Sequence, residues 1–97
     1  MDPVRLTLYV AGDSLRSQQA VANLRRICES GAEGGAEYEV VDVTQDPERA
    51  EAARILTTPT VVREAPSPAR RVTGDLSDLR TVATALGLRR PGVQEEG

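Results

Sequence analysis

The feature that most restricts the fold of this chain is a pair of short apolar segments separated by an amphipathic one. Residues 4–10 and 38–43 are rich in aliphatic and β-branched side chains, as buried strands are. A strand, a helix and a strand form a βαβ unit, so the two strands are predicted to lie parallel. The helix is indicated by apolar residues that recur at helical spacing, at Ala20, Val21, Leu24, Ile27 and Cys28.

The second half of the chain predicts a short helix, two strands and a last helix. Asp46 and Pro47 suit the N-cap and the first position of the short helix. Strands at 60–63 and 70–73 are expected to run antiparallel, and Ser77 is the expected N-cap of the last helix. The resulting order, β-α-β-α-β-β-α, is that of a thioredoxin-like α/β fold.

The chain of 97 residues is long enough for one domain, because domains typically contain about 50 to 250 residues. The thioredoxin-like domain is expected to span residues 1–88. Residues 89–97 are polar and include Pro and Gly, so we predict that they form a disordered tail.

The composition excludes several kinds of chemistry. The chain has no His and no Lys, so it supplies no histidine general base, no Schiff-base lysine and no P-loop lysine. A single Cys without His excludes the usual zinc sites, and we expect neither a metal nor another cofactor. A net charge of −3 and only two aromatic residues argue against nucleic-acid binding.

The lone cysteine, Cys28, falls on the apolar face of the first helix, where it is best interpreted as a small core residue. Redox-active thioredoxin-like proteins begin that helix with a Cys-x-x-Cys pair, but residues 11–16 contain no Cys. The sequence shows no signal-peptide pattern and no apolar run near the roughly 18 residues that span a bilayer. We therefore expect a cytoplasmic protein, without membrane binding, whose thiol is reduced.

Four segments have a combined order and spacing that is specific, although each is short. They are LYVAG at 8–12, VDV at 41–43, ILTTPT at 55–60 and RRVTGDLS at 70–77. With these segments the chain resembles the KaiB family, the small clock proteins that bind the KaiC ATPase. The resemblance extends over about residues 4–88 and implies a binding protein rather than an enzyme.

The resemblance also implies particular partners. KaiB-like proteins dock on the N-terminal ATPase ring of the KaiC hexamer, modulate its cycle and displace the histidine kinase SasA, whose N-terminal domain is itself KaiB-like. The family is known for two folds of one sequence, a ground state that forms a homo-oligomer and a thioredoxin-like state that binds KaiC. The two differ in the C-terminal half, which implies two packings separated by only a few kcal/mol.

Four charged residues are candidates for partner contacts. Arg63, Arg70 and Arg71 lie on the predicted hairpin, where the family's basic residues look important for docking, and arginine binds carboxylates in a bidentate manner. The same arginines are also explained as charges that protect an exposed strand from aggregation. Glu39, with Glu37, makes the second strand acidic where KaiA-binding relatives are basic or neutral, which argues against KaiA as a partner.

Five further positions are candidates for a cis-proline and a conformational switch. Thr58 and Pro59 are predicted to share a cis peptide bond, because thioredoxin-like folds place a cis-proline before the third strand. Gly74 and Asp75 suit a turn and a helix cap. Ala85 stands where switching relatives often carry Gly, and Ala favours a helix by about 1 kcal/mol. We therefore predict that the free protein rests mainly in the thioredoxin-like state.

Three other interpretations stay open. One is a stand-alone sensory domain like that of a SasA-type kinase, against which the short segment after Leu88 argues. Another is a thioredoxin-like oxidoreductase or glutathione-using relative, against which the missing active-site thiol argues. The last is a structural adaptor without clock function.

Overall fold

The βαβ unit predicted at the amino end is present in the computed structural model, which describes residues 4–29 and 36–88. Strands β1 (Val4–Val10) and β2 (Ala36–Asp42) are joined by helix α1 (Leu15–Glu29). The two strands pair in parallel, from Val4 opposite Ala36 to Val10 opposite Asp42. The predicted tail at residues 89–97 lies outside the described residues.

The rest of the chain completes a four-stranded sheet. It consists of α2 (Pro47–Ala52), β3 (Thr60–Ala65), β4 (Arg70–Thr73) and α3 (Leu79–Ala85). The strand order is β2-β1-β3-β4, and β3 runs antiparallel to both β1 and β4. The predicted element order and the mixed α/β, thioredoxin-like architecture are confirmed, and β3 extends two residues beyond its predicted end.

The helices begin at polar side chains that satisfy free backbone N–H groups. Ser14 Oγ accepts the N–H of Ser17 at 3.2 Å at the start of α1, and Asp46 accepts the N–H of Arg49 at 3.4 Å at the start of α2, as its sequence predicted. The start of α3 differs from prediction. Asp78, and not Ser77, is its N-cap.

The reason for this difference is local. The N–H of Ser77 donates to the Asp75 carboxylate at 3.1 Å, so Ser77 belongs to the preceding turn. In that turn Leu76 has a φ of 64°, which directs the chain into the helix one residue later than the sequence suggests. Asp78 then accepts both the N–H and the hydroxyl of Thr81, at 3.2 and 2.9 Å.

The sheet has apolar side chains on both faces. On the face covered by α1 and α3, the main cluster includes four completely buried side chains, Leu8, Val61, Leu24 and Leu86. Burying each such side chain stabilises the fold by about 1.5–3 kcal/mol.

On the opposite face a smaller cluster forms next to α2. Tyr9, Val41 and Val62 are buried there, packed against Ala53 and Ile55, which follow the helix.

Among the described helices, none is both long enough and apolar enough to cross a membrane.

Candidate functional site

The loop between β1 and α1 lies where redox-active proteins of this fold carry their dithiol, and here it is organised around a carboxylate. Gly12 adopts a φ of 64°, and its N–H donates to Asp42 Oδ1 at 3.0 Å. The N–H and hydroxyl of Thr44 donate to the same oxygen at 2.9 and 2.7 Å. Hydrogen bonds from Gly12 and Thr44 stabilise the carboxylate and lower the pKa of Asp42.

The chain's single thiol is far along the first helix from this loop. Cys28 is half-buried near the end of α1 and packs against the main core cluster. Burial raises the pKa of its thiol, and the neighbouring charge of Glu29 raises it further, so less of the reactive thiolate is present. The arrangement supports the interpretation of Cys28 as a packing residue.

The junction between α2 and β3 lies at the same end of the sheet, because Thr60 is paired with Tyr9 near the end of β1. The Thr58–Pro59 peptide bond is cis, the isomer that the sequence predicted. The Thr60 hydroxyl donates to the Thr57 carbonyl at 2.7 Å, and the Gly74 N–H donates to the Pro59 carbonyl at 2.8 Å. The structure therefore brings Pro59 and Gly74, two of the candidate switch residues, into contact.

Beside this junction is an open groove of about 760 Å³, which we call the α2 groove. Leu56 lines it and is 93% exposed, the most exposed large apolar side chain among the described residues. The other lining residues come from β2's end, α2 and the junction: Val43, Pro47, Ala50, Glu51, Arg54, Ile55, Thr57 and Thr58.

Arg63, one of the candidates for partner binding, is not a surface residue. Its exposed fraction is only 7%, because β3 pairs Arg63 with Leu6 and turns it toward the face that α1 and α3 cover. Its guanidinium donates to the Leu86 carbonyl at 3.0 Å and to the Pro68 carbonyl at 2.8 Å. The alternating pattern of strand β3 did not reveal this burial, since an arginine is rarely expected inside.

The remaining candidates for partner contact occupy different places. Arg70 is exposed on β4, directly opposite Arg63. Arg71 points to the other face, where it donates to the carbonyls of Arg54 at 3.1 Å and Ala53 at 2.8 Å and thereby holds the end of α2. Glu39 lies on the opposite edge strand, β2, and accepts two hydrogen bonds from Arg49, at 2.5 and 3.1 Å.

These charged residues therefore form no single cluster. The Arg49 guanidinium lowers the pKa of Glu39. The two side chains form an exposed ion pair, which contributes little to stability. Of the other candidate switch residues, Asp75 lies in the turn before α3, where its carbonyl accepts from Asn23 at 2.8 Å, and Ala85 is half-buried in the last turn of α3.

Sequence reasoning did not identify Leu56 as a surface feature. The available signal was its position, after the predicted end of the short helix and immediately before Thr57. Within residues 4–29 and 36–88, no three His, Cys, Asp or Glu side chains are grouped where they could hold a metal ion.

The fold and this site together define a thioredoxin-like domain that carries no thiol at the redox position. The solved structure of mitochondrial thioredoxin 3 from Saccharomyces cerevisiae has the same fold. It superposes with a TM-score of 0.71 at 11% identity, over 90% of this chain and 79% of that one.

Within that class, the chain belongs to the KaiB family. The family's KaiB domain profile matches residues 7–88. Circadian clock protein KaiB3 of Synechocystis sp. is 39% identical over 94 residues, which cover 97% of this chain and 92% of the relative. Circadian clock oscillator protein KaiB of Prochlorococcus marinus strain MIT 9313 is 43% identical, over 94% of this chain and 76% of its own length.

A solved clock-protein domain is similar in fold as well. The solution structure of the N-terminal domain of Synechococcus elongatus SasA has a TM-score of 0.74 and 27% identity, with 100% of this chain and 90% of that chain covered.

Proposed function

We propose that this protein is a cytoplasmic clock component that binds the N-terminal ATPase ring of a KaiC-type hexamer and modulates its phosphorylation and ATPase cycle. The observation that carries this proposal is the family match over residues 7–88, since the relatives are circadian clock proteins. The protein acts by binding and not by catalysis. The shared fold with the SasA domain supports competition with a SasA-like kinase for the same ATPase.

The α2 groove is the surface we propose for contact with the ATPase. An exposed leucine beside an apolar depression loses unfavourable contact with water when a partner covers it. Leu56 is held in place by the backbone around it, since the Ile55 N–H donates to the Ala50 carbonyl and Thr57 is tied to Thr60. Because the backbone on both sides of Leu56 is already ordered, binding costs little backbone conformational entropy at this position.

Charged contacts are proposed at the rim of the interface. Arg70 has an exposed guanidinium available to a carboxylate, whereas Arg71 and Glu39 already have partners within the chain. All four candidates stay proposed contacts, with Arg70 favoured by its exposure and Arg63 least favoured because it is buried. The acidic side chains of Glu37 and Glu39 on the edge strand argue against binding to KaiA.

The test is direct binding to the KaiC-type ATPase of the same organism, with ATP or ADP, measured by size exclusion with light scattering. We expect a stoichiometric complex with the hexamer. Leu56→Ala is expected to weaken the complex by about tenfold or more, as the loss of a central apolar contact does. The matched control is Val40→Ala, which truncates an apolar side chain that is 40% exposed on the opposite face of the sheet, beside α1, and should leave affinity unchanged.

Two results would contradict this proposal in different ways. If no complex forms at tens of micromolar protein with either nucleotide, binding to the ATPase is wrong. If the complex forms but Leu56→Ala and Val40→Ala bind equally well, the function stands and the α2 groove is the wrong surface.

A second candidate, a stand-alone sensory domain of the SasA type, is favoured only by the structural similarity to the SasA domain. Both candidates are proposed to bind the ATPase, so a competition experiment does not distinguish them. A pull-down with the kinase core of a SasA-type protein distinguishes them, because a sensory domain is expected to bind its kinase core and a KaiB-like protein is not expected to bind it.

A further inference from the structure

Arg63 is an ionised side chain inside the protein. Its exposed fraction is 7%, and among the described residues no carboxylate forms an ion pair with it. The residue directly opposite on β4 is another cation, Arg70. Burying an unpaired charge is costly unless hydrogen bonds replace its water, so the groups that surround this guanidinium determine whether the local structure is stable.

Those groups belong to two segments that are otherwise separate. Nη1 donates to the Leu86 carbonyl, 3.0 Å away, at the carboxyl end of α3. The last carbonyls of a helix lack partners within the helix and carry partial negative charge, which suits a cation. Nη2 donates to the Pro68 carbonyl, 2.8 Å away, in the loop that joins β3 to β4. The third nitrogen, Nε, is buried and has no hydrogen-bond partner within residues 4–29 and 36–88.

The backbone beside α3 is shaped around the same guanidinium. Gly87 has a φ of 74°, and a Cβ atom at this position would overlap Arg63 Nη1. Gly12 has a similar φ of 64°, but a Cβ there would meet nothing within 4 Å. Alanine at either glycine introduces backbone strain, but only alanine at Gly87 also displaces the guanidinium, so comparing the two substitutions separates these effects.

We propose that Arg63, the Leu86 carbonyl and the Pro68 carbonyl form a clamp that couples the carboxyl end of α3 to the β3–β4 loop, so that disturbing one segment disturbs the other. Both carbonyls depend on one planar cation, and that cation loses half of its direct hydrogen bonds if either segment leaves. The inference concerns the free protein and does not rest on the proposed function.

The test is a double-mutant comparison on the full-length chain by NMR. Gly87→Ala is expected to shift the amide signals of Ser67 and Ala69 in the loop, because it displaces the guanidinium from the Pro68 carbonyl. In an Arg63→Met background the same change should leave those two signals in place. Gly12→Ala is the control for backbone strain and should not shift them in either background.

Amide hydrogen exchange supplies a second readout. The N–H groups of Leu86, Gly87 and Leu88 donate to carbonyls of α3, so their protection reports on the end of that helix. Arg63→Met should accelerate their exchange by about tenfold or more, as the loss of a charged hydrogen bond does. Arg70→Met, the matched removal of the exposed arginine, should leave their exchange unchanged.

Two outcomes would overturn the clamp. One is an equal shift of Ser67 and Ala69 on Gly87→Ala with and without Arg63. The other is an equal acceleration of exchange in β1 and in α3, which would show that Arg63 contributes only to global stability. If Arg63→Met does not fold, Arg63→Lys takes its place, because an ammonium group retains the charge but lacks the fork that reaches both carbonyls.

Discussion

At the scale of single residues, polar side chains that form several hydrogen bonds determine the loops of this protein. Asp42 receives the N–H groups of Gly12 and Thr44 on one oxygen and so ties the end of β2 to the loop before α1. Arg71 performs the equivalent role for the end of α2. Both roles depend on contacts between residues distant in sequence, which is why the sequence predicted partner binding or edge protection for Arg71 and not its contacts with α2.

The pH dependence of stability tests the role of Asp42. Its folded-state pKa lies below the ordinary value of 3.8, so its contribution is complete above that value and is lost as the pH falls through the folded-state pKa. Asp42→Asn is expected to lower the Tm by several degrees at pH 7, and its difference from the wild-type Tm should shrink as the pH falls below 3.8. The measurement is thermal unfolding by circular dichroism.

The control for this prediction is Asp13→Asn, an exposed carboxylate in the same loop. It should change the Tm little over the same range of pH. A constant difference in Tm between Asp42→Asn and wild type from pH 7 to below pH 3.8 would contradict the assigned role, because the charge of Asp42 would then contribute nothing.

At the scale of secondary structure, the helices and strands follow local patterns closely, and their ends follow less closely. The N-cap of α2 was predicted correctly at Asp46, because proline is favoured at the first position of a helix and Pro47 follows Asp46 directly. The N-cap of α3 was predicted at Ser77 and is Asp78. Ser and Asp cap helices about equally well, so only the turn at Leu76 distinguishes them.

Alanine substitution at these two neighbours tests the observed cap. Asp78→Ala removes the acceptor of the Thr81 N–H and hydroxyl and should lower the Tm by about 4–8 °C. Ser77→Ala removes a side chain that caps nothing and should change the Tm by no more than about 2 °C. Thermal unfolding of both variants decides the point, and a larger effect at Ser77 would restore the cap predicted from sequence.

At the scale of the whole molecule, α3 is the element whose place depends most on tertiary contacts. It is seven residues long and includes the β-branched residues Thr81, Val82 and Thr84, which form helices weakly. Packing of Val82 and Leu86 in the main core cluster, and the Arg63 hydrogen bond to Leu86, hold it against the sheet. We propose that the thioredoxin-like state is the resting state and that a second fold of this half is a minor state.

Ala85→Gly tests this balance. A glycine in the last turn of α3 should weaken the helix by about 1 kcal/mol. If the family's second fold is accessible to this chain, NMR spectra of Ala85→Gly should show a second set of signals for residues 60–88 that is absent or weaker in wild type. A single thioredoxin-like set in both proteins, with only lower stability in the variant, would contradict access to a second fold.

The sequence alone determined the order of strands and helices, the parallel βαβ unit, the absence of dithiol chemistry and the membership of a family, because these depend on periodicity, residue type and short motifs. Only the tertiary structure decided that Arg63 is buried, that Arg71 holds α2 and that Leu56 stands exposed beside a groove. The register of β3 against β1 and the packing of both sheet faces set these side-chain environments. Those contacts join residues far apart in the chain, and local pattern carries no information about them.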